Sequence, residues 1–372
     1  MASHKEVLYE KIYHNILQAI QNGEIAPGER LGSEVEIATR FGVSRITSKR
    51  ALNQLAHDGY IVRYPGRGSY VQQVPRQPAR DLAGAAPGLV AVIMPELSAS
   101  YGVRLLASVQ HALHKAGFDV VIGLSHGSQT VESEEIDRFS RLGVKGYVIF
   151  PVNGEFYNSE ILRLHLDGMP LVLVDKPLSK IPVSAVWSQN EEAGYTATQY
   201  LIERGHRRIA FLSPTRANTE TLESRYAGYA RALNDAGLSL ETELILDDLP
   251  SERFEDHFSP DDRGYESLLH FFENHGDITA VLAAEYRIGL ESLKVFRRLN
   301  IGCPEQISLM TFDGPWPLDV SMQLTHMRQD EWTMGQTAVQ FLLNQISQGE
   351  RDAKLMAIPT VLVEGFSTRA IS

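Results

Sequence analysis

The first hydrophobic pattern of the chain has the period of a helix. Apolar side chains recur every fourth residue from Leu8 to Ile20, which predicts an amphipathic helix over residues 5–22. Gly23 ends the pattern, since glycine is a common stop signal for a helix. The chain therefore opens with a helix that has one apolar face to bury.

Two shorter helices are predicted next, separated by one glycine. Ser33 and Glu36 have the spacing of a capping box, in which each side chain satisfies a backbone donor that the helix leaves unpaired. Gly42 permits a sharp turn, and Ser44 can cap a third helix that continues to about His57. This order of helix, turn and helix is typical of DNA-binding domains.

A basic hairpin is predicted after the third helix. The segment 60–71 holds apolar residues around Pro65, Gly66, Arg67 and Gly68, which is a composition that forms turns. A basic helix followed by such a hairpin is shaped to enter two DNA grooves side by side.

After Gly88, short apolar runs alternate with helical patterns, and this order predicts an α/β fold with parallel sheets covered on both faces. The predicted strands are 89–94, 119–123, 146–150, 171–174, 208–212, 244–246, 280–283 and 307–312. The predicted helices are 102–116, 131–142, 191–204, 222–236, 262–273 and 288–298. So many units suggest two doubly wound lobes, with a ligand where the carboxyl ends of their strands face a shared cleft.

The two patterns are separated by a stretch without apolar periodicity. Residues 72–88 are rich in proline, alanine and glycine, as connectors are. We therefore predict a DNA-binding domain at 1–73, a linker at 74–88 and a ligand-binding and dimerisation domain at 89–372.

The composition agrees with a protein of several compact units. The chain has 372 residues, of which 43% are hydrophobic and 22% charged, and this length exceeds one typical core. No run of 18 apolar residues occurs and the N-terminus is polar, so we expect neither a membrane span nor a signal peptide. Cys303 is the only cysteine, which suits a cytoplasmic location. No pattern of cofactor or metal ligands is found, and we expect neither.

Charge is distributed unevenly along the chain. The net charge is −11, but residues 1–75 hold nine Lys and Arg against seven Asp and Glu, a net of +2 that leaves −13 for the remainder. Six basic residues and one acid lie between Arg40 and Arg67. Positive charge is therefore concentrated on the elements predicted to face DNA, whose phosphates attract it.

Three segments of this region carry a family resemblance, namely Gly42 to Thr47, Ala51-Leu52 and Gly66 to Val71. They resemble the winged-helix domain of GntR-type regulators. The position of Arg45, Thr47 and Lys49 at the start of the recognition helix predicts contacts with base edges, and the resemblance implies the same. It also implies that Gly66 lies at the wing tip in the minor groove. The predicted DNA-binding residues are Ser33, Ser44, Arg45, Thr47, Lys49, Arg50, Gly66 and Arg67.

The second part of the chain resembles the effector domain of LacI-type repressors, which share the two-lobed fold of type I periplasmic sugar-binding proteins. Gly-His-Arg-Arg-Ile at 205–209, Ser-Arg-x-x-Gly-Tyr at 224–229 and the segment 307–313 carry this similarity. GntR-type domains joined to such an effector domain form a group that includes arabinose-responsive repressors.

The resemblance implies an effector site in the cleft. Arg225 and Asp313 match an arginine and an aspartate that hydrogen-bond sugar hydroxyls, and Asp175 matches another polar cleft position. An arginine can donate to two neighbouring hydroxyls while a carboxylate accepts from two. Each side chain also has a structural alternative, such as a turn cap for Asp313 or a surface ion pair for Arg225.

Three further residues complete the predicted effector site. Lys176 is expected at the mouth of the cleft, and Tyr101 either packs against sugar carbons or covers the lobe. Glu285 stands where relatives carry asparagine. A carboxylate at that position would discourage a phosphorylated or acidic effector.

We therefore expect a ligand-responsive transcriptional regulator, a repressor of carbohydrate-utilisation genes that binds operator DNA as a homodimer and is released by a sugar. The alternative is a cytoplasmic sugar-binding or sugar-processing protein with a fused nucleic-acid-binding domain. An aminotransferase fusion would need a longer chain and a Schiff-base lysine in a recognisable setting, and no hydrolase or nucleotide-binding motif is found. A transport protein would carry a signal peptide and would not carry a winged helix, so both predictions count against it.

Overall fold

The computed structural model describes residues 8–21, 25–26, 28–57, 60–64, 68–71, 88–97, 101–178, 180–250, 262–314, 323–349 and 351–371. They form two compact units, one within residues 8–71 and one within residues 88–371. Of the predicted linker at 74–88, only Gly88 is among the described residues. The predicted DNA contacts Gly66 and Arg67 also lie outside them.

The first unit combines three helices with a small sheet. Its elements are α1 (Leu8–Gln21), β1 (Arg30–Gly32), α2 (Glu34–Phe41), α3 (Arg45–His57), β2 (Ile61–Tyr64) and β3 (Gly68–Val71). The sheet has the antiparallel order β1-β3-β2, so the hairpin predicted after the third helix is confirmed.

Local sequence signals determine these helix boundaries. Ser33 and Glu36 form the complete capping box at the start of α2, and Gly42 ends that helix at a φ of 63°, in the left-handed region that glycine adopts easily. Ile12 of α1, Ile37 of α2 and Leu52 of α3 are buried in one shared core. The periodicity of the sequence is therefore explained by packing.

The first lobe of the second unit is a six-stranded parallel sheet with the order β14-β8-β7-β6-β4-β5. Helices α4 and α11 cover one face, whereas α5 and α6 cover the other. The strands are β4 (Leu89–Met94), β5 (Asp119–Leu124), β6 (Gly146–Ile149), β7 (Leu171–Val174), β8 (Ser184–Ser188) and β14 (Leu355–Ile358). The helices are α4 (Val103–Lys115), α5 (Gln129–Arg141), α6 (Ser159–Leu166) and α11 (Glu331–Gln348).

The second lobe is a six-stranded sheet with the order β10-β9-β11-β12-β13-β15, in which β15 alone is antiparallel. Helices α7 and α8 cover one face, and α9 and α10 cover the other. The strands are β9 (Ile209–Pro214), β10 (Ile245–Leu249), β11 (Ala280–Ala283), β12 (Ser308–Phe312), β13 (Thr325–Arg328) and β15 (Val361–Val363). The helices are α7 (Asn190–Glu203), α8 (Glu220–Asp235), α9 (Asp262–Asn274) and α10 (Tyr286–Leu299).

The chain passes between the lobes at three short connections. The first joins β8 to α7 at residue 189, the second joins β13 to α11 at 329–330, and the third joins β14 to β15 at 359–360. Each lobe is therefore built from segments that are separated in the sequence by parts of the other lobe.

The predicted two-lobed α/β fold is confirmed. Strands β4, β7 and β11 have the predicted bounds. The six helices predicted after Gly88 are all present, with boundaries shifted by one or two residues. The elements that sequence reasoning missed are β1, α6, β8, β13, α11, β14 and β15. Within the described residues no helix is long and apolar enough to span a membrane.

Candidate DNA-binding surface and effector cleft

The start of α3 is organised by Ser44. Its hydroxyl accepts a hydrogen bond from the Thr47 backbone N–H at 3.2 Å, and the two hydroxyl oxygens lie 2.8 Å apart. Thr47 was predicted as a base reader, but its hydroxyl is engaged in this cap. The Arg45 side chain is 72% exposed, and its Nε lies 3.0 Å from Glu34 Oε2.

The other predicted DNA contacts divide between exposed and structural positions. Lys49 is exposed on α3. The guanidinium of Arg50 lies 4.0 Å from the centre of the Tyr9 ring and so joins α3 to α1. Ser33 is the N-cap of α2. These contacts do not exclude DNA binding, but they give Arg50 and Ser33 a role in the fold itself.

Two apolar residues of α2 and α3 are exposed, and sequence reasoning did not predict Ile46 as a DNA contact. Ile46 is 80% exposed and Val35 is 55% exposed. Helical periodicity could have identified Ile46, because the buried residues of α3 are Ser48, Ala51, Leu52 and Leu55, and Ile46 lies off that face.

In the second unit, two aspartates occupy equivalent places in the two lobes. Asp175 follows β7 in the first lobe and Asp313 follows β12 in the second, so both extend the carboxyl end of a parallel strand. Both have left-handed backbones, with φ of 74° and 61°. Aspartate tolerates this conformation better than most residues, although it is rarely adopted without a local reason.

Neighbouring side chains hold each aspartate in place. The Tyr101 hydroxyl donates to Asp175 Oδ1 at 2.8 Å, and the Tyr101 ring meets the Phe150 ring edge-on at 6.1 Å. Gln329 donates from Nε2 to Asp313 Oδ2 at 2.9 Å. Because Gln329 lies in the second connection between the lobes, Asp313 is tied directly to that connection.

Arg225 is buried beside the aspartates, with 5% of its surface exposed. It donates from Nε to Asn190 Oδ1 at 2.9 Å and from Nη1 to the carbonyl of Ala284 at 2.6 Å. Its guanidinium lies 4.1 Å from the centre of the Phe312 ring. Three segments of the second lobe therefore fix the orientation of this cation.

Close helix packing explains the glycine of the Ser-Arg-x-x-Gly-Tyr motif. A Cβ atom on Gly228 of α8 would lie 2.0 Å from the backbone oxygen of Glu191 in α7. A Cβ atom on Gly194 of α7 would lie 2.1 Å from the backbone oxygen of Arg225. Only glycine lets α7 and α8 approach this closely, and the approach places Asn190 beside Arg225.

Burial perturbs the carboxyl groups of the cleft. It raises the pKa of Asp313 to about 6, with a further rise from Asp175 that Arg225 and Gln329 oppose. It also raises the pKa of Asp175, against the effects of Lys176, Tyr101 and Arg225. Glu331, which accepts from the Gly102 N–H at 2.8 Å, has its pKa raised by burial to about 7. These three carboxyl groups thus interact with one another and with the cations Arg225, Lys176 and Arg104.

Lys176 lies on the other side of Asp175. Burial lowers the pKa of its ammonium group to about 8, although the charges of Asp175, Glu132 and Glu220 oppose the change. The ammonium donates to Asn153 Oδ1. Because Glu220 is the first residue of α8 in the second lobe, the Lys176 ammonium group interacts with carboxyl groups of both lobes.

A cavity of about 460 Å³ is lined by Asp175 and Lys176 of the first lobe, by Gln189 of the first connection, and by Glu220 and Ser224 of the second lobe. Tyr101, Arg225 and Asp313 do not line it. The volume falls in the range of small-molecule sites.

Glu285 lies at the edge of this arrangement. It follows Ala284, whose carbonyl accepts from Arg225, and it directly precedes α10. It is partly buried and does not line the cavity. The structure thus brings Tyr101, Asp175, Lys176, Arg225 and Asp313 together, with Glu285 as a neighbour. Among the described residues no group of three His, Cys, Asp or Glu side chains could hold a metal ion.

Family models match both parts of the chain. Residues 8–71 match the family described as "Bacterial regulatory proteins, gntR family", and residues 198–368 match "Periplasmic binding protein-like domain". The chain is a transcriptional regulator of this two-domain type.

Similar proteins extend over both domains. The arabinose metabolism transcriptional repressor of Geobacillus stearothermophilus is 25% identical over 350 residues, which cover 92% of each chain. A solved structure of the transcriptional regulator CelR with cellobiose superposes with a TM-score of 0.65 at 22% identity and covers 87% of this chain and 90% of that one. A LacI family regulator from Enterococcus faecium with bound ribose gives 0.63 at 20% identity, covering 76% and 100%. The solved structures establish a shared fold.

Proposed function

We propose that this regulator is a repressor whose affinity for operator DNA is controlled by a small, uncharged polyhydroxy compound bound between the lobes. The observation that carries the proposal is the interacting cluster of Asp175, Arg225 and Asp313, of which Asp175 also lines a cavity shared by both lobes. Relatives named for arabinose metabolism and structures with bound sugars support a sugar as the effector.

The chemistry of the cluster favours hydroxyl groups over anions. Asp175 and Asp313 can each accept from two hydroxyls of one ligand, and Arg225 can donate to a third. Five carboxyl groups, those of Asp175, Asp313, Glu132, Glu220 and Glu331, interact with three cations, Arg104, Arg225 and Lys176. A phosphorylated or acidic sugar would add a like charge to this excess, so the neutral sugar should bind more tightly.

The three connections between the lobes suggest how the signal is transmitted. A ligand held by Asp175 of the first lobe and Asp313 of the second favours the closed arrangement, because it contacts both lobes only there. Regulation requires only that the ligand prefer one arrangement by about 1–3 kcal/mol. In the proposed homodimer, this preference changes how well two DNA-binding domains fit paired half-sites. We propose release of DNA as the outcome.

The test is a thermal-shift screen of the purified full chain against common pentoses, hexoses and their phosphate esters. A true effector stabilises by mass action, by about 2.7 kcal/mol at one hundred times its Kd. We expect a neutral sugar to stabilise the protein, to bind at least tenfold more tightly than its phosphate ester and to weaken binding to an operator duplex selected in vitro.

The variant Asp313→Asn tests the proposed effector site independently of DNA binding. The amide is nearly isosteric and still accepts from Gln329, but it accepts less strongly from sugar hydroxyls. We expect this variant to bind operator normally and to lose the sugar response. The matched control is Asp352→Asn, which neutralises an exposed carboxylate of the same unit. An unchanged sugar response in Asp313→Asn would contradict the proposed site.

A further inference from the structure

Among the described residues of the DNA-binding unit, Ile46 is the most exposed large apolar side chain, at 80%. Exposure alone does not define a site, because single exposed apolar side chains are common on protein surfaces. The position of Ile46 is more informative. It lies in the first turn of α3, directly after Arg45 and three residues before Lys49, both of which are exposed.

The fold gives no reason for an apolar side chain at this position. The core contacts of α3 come from Ala51, Leu52 and Leu55, and Ile46 is on the solvent side with Lys49 and Asn53. Isoleucine is also a weaker helix former than lysine or glutamate, because its branched side chain is restricted in a helix. Its contribution must therefore come from a surface that it covers.

The neighbours of Ile46 indicate that this surface is DNA. Arg45 and Lys49 give the first turns of α3 a positive charge that matches the phosphate backbone. The helix follows the turn at Gly42, and residues at this end of such a helix face base edges. Thr47, the other candidate at this turn, uses its hydroxyl to bond Ser44.

The major groove presents one distinctive apolar group, the C5-methyl of thymine. We propose that Ile46 reads a thymine in each operator half-site by packing its side chain against that methyl group, while Arg45 and Lys49 supply the polar contacts. This inference rests on the proposed operator binding and adds a specificity that the polar residues cannot provide. Cytosine, in the same groove position, lacks the methyl group.

Replacement of thymine by uracil tests the contact, because it removes one methyl group and leaves every base-pairing atom in place. Operator DNA is first selected from random duplexes with the full chain, and each thymine is then replaced in turn. Burial of one methyl group is worth about 0.8 kcal/mol, which corresponds to about a fourfold change in affinity. We expect about a fourfold loss at one thymine in each half-site.

The Ile46→Ala variant identifies the side chain responsible. Because Ile46 is exposed, the variant should fold normally, and it should bind thymine and uracil operators equally. The matched control is Leu166→Ala, which removes an apolar side chain that is 82% exposed in the other unit and should retain the fourfold preference.

The remaining outcomes are decisive. If Ile46→Ala weakens binding but keeps the thymine preference, Ile46 contacts the sugar-phosphate backbone and the inference is wrong. The inference is also wrong if the wild-type protein binds the selected operator without any dependence on methyl groups. If the wild-type protein selects no duplex at all, the proposed operator binding itself fails, and this inference fails with it.

Discussion

The contact between α7 and α8 gives the sharpest prediction, the effect of Gly228→Ala. The added Cβ would lie 2.0 Å from the backbone oxygen of Glu191 and 2.5 Å from the backbone nitrogen of Tyr195. Ordinary carbon to oxygen contacts are about 3.3–3.6 Å. The helices must therefore separate by more than about 1 Å, since no side-chain rotation can relieve a contact between backbones.

Two opposing effects determine the magnitude. Overpacking of this kind costs about 1–3 kcal/mol, and a clash with backbone atoms belongs at the upper end. Alanine is the better helix former by about 1 kcal/mol, which offsets part of the cost. We expect the free energy of unfolding of the second unit to fall by about 2 kcal/mol.

Urea denaturation followed by tryptophan fluorescence measures this effect. All three tryptophans of the chain, at 187, 316 and 332, belong to the second unit, so the signal reports that unit. The control is Gly276→Ala, because a Cβ atom there has no neighbour within 4 Å and should change stability little. If Gly228→Ala unfolds at the same urea concentration as this control, the close helix contact is refuted.

Three further predictions concern single side chains. Arg45→Ala should weaken operator binding by about 1–3 kcal/mol in a fluorescence-anisotropy titration and leave the thermal transition of the first unit, followed by circular dichroism, unchanged, since exposed ion pairs contribute little; full affinity would contradict its role. Ser33→Ala should destabilise the first unit by about 1 kcal/mol, as circular dichroism of α2 and its neighbours would report, and an unchanged thermal transition would contradict the cap. The pKa of Glu331 is raised to about 7 in the folded protein, so its carboxyl group stays protonated there at pH values where the unfolded chain has already lost that proton. The stability that this difference contributes is present at low pH and is lost as the pH rises through 7. Glu331→Gln should therefore be more stable than wild type at pH 8 but not at pH 4, on the order of 2–3 kcal/mol, and a pH-independent difference would contradict the burial of that charge.

Fully buried parallel strands were the elements that the sequence predicted best. Leu171–Val174 and Ala280–Ala283 are buried at every position, so they read as continuous apolar runs between polar segments. Strand β13 was missed because Thr325, His326 and Arg328 interrupt its apolar pattern, whereas β14 was missed although its four residues are apolar. Helix α11 was missed as well, and it contains an interior glycine, Gly335. That glycine faces Ser108 of α4, at a distance that leaves no room for a side chain.

The cluster of buried charges between the lobes could be read from the sequence only in part. Asp175 and Asp313 follow apolar strands, so their positions at the carboxyl edges could be read from the chain. Asn190, Gln329 and Glu331 could not, because they reach the cluster only through connections between lobes that sequence order does not reveal. In the DNA-binding unit, the sequence alone does not distinguish a hydroxyl that bonds within the helix cap from one that contacts a base. Thr47 is an example, because its hydroxyl bonds that of Ser44.

The residues that connect the lobes also hold the effector cluster. Asn190 follows the first connection and bonds Arg225, whereas Gln329 lies in the second connection and bonds Asp313. Burial raises the pKa of Asp175, Asp313 and Glu331, so ionised carboxylates oppose this buried arrangement at neutral pH. A ligand whose hydroxyls donate to these carboxylates removes part of that cost only when both lobes contribute, which gives it the differential affinity that a population shift requires. We therefore propose that the acidic cluster couples ligand binding to lobe closure.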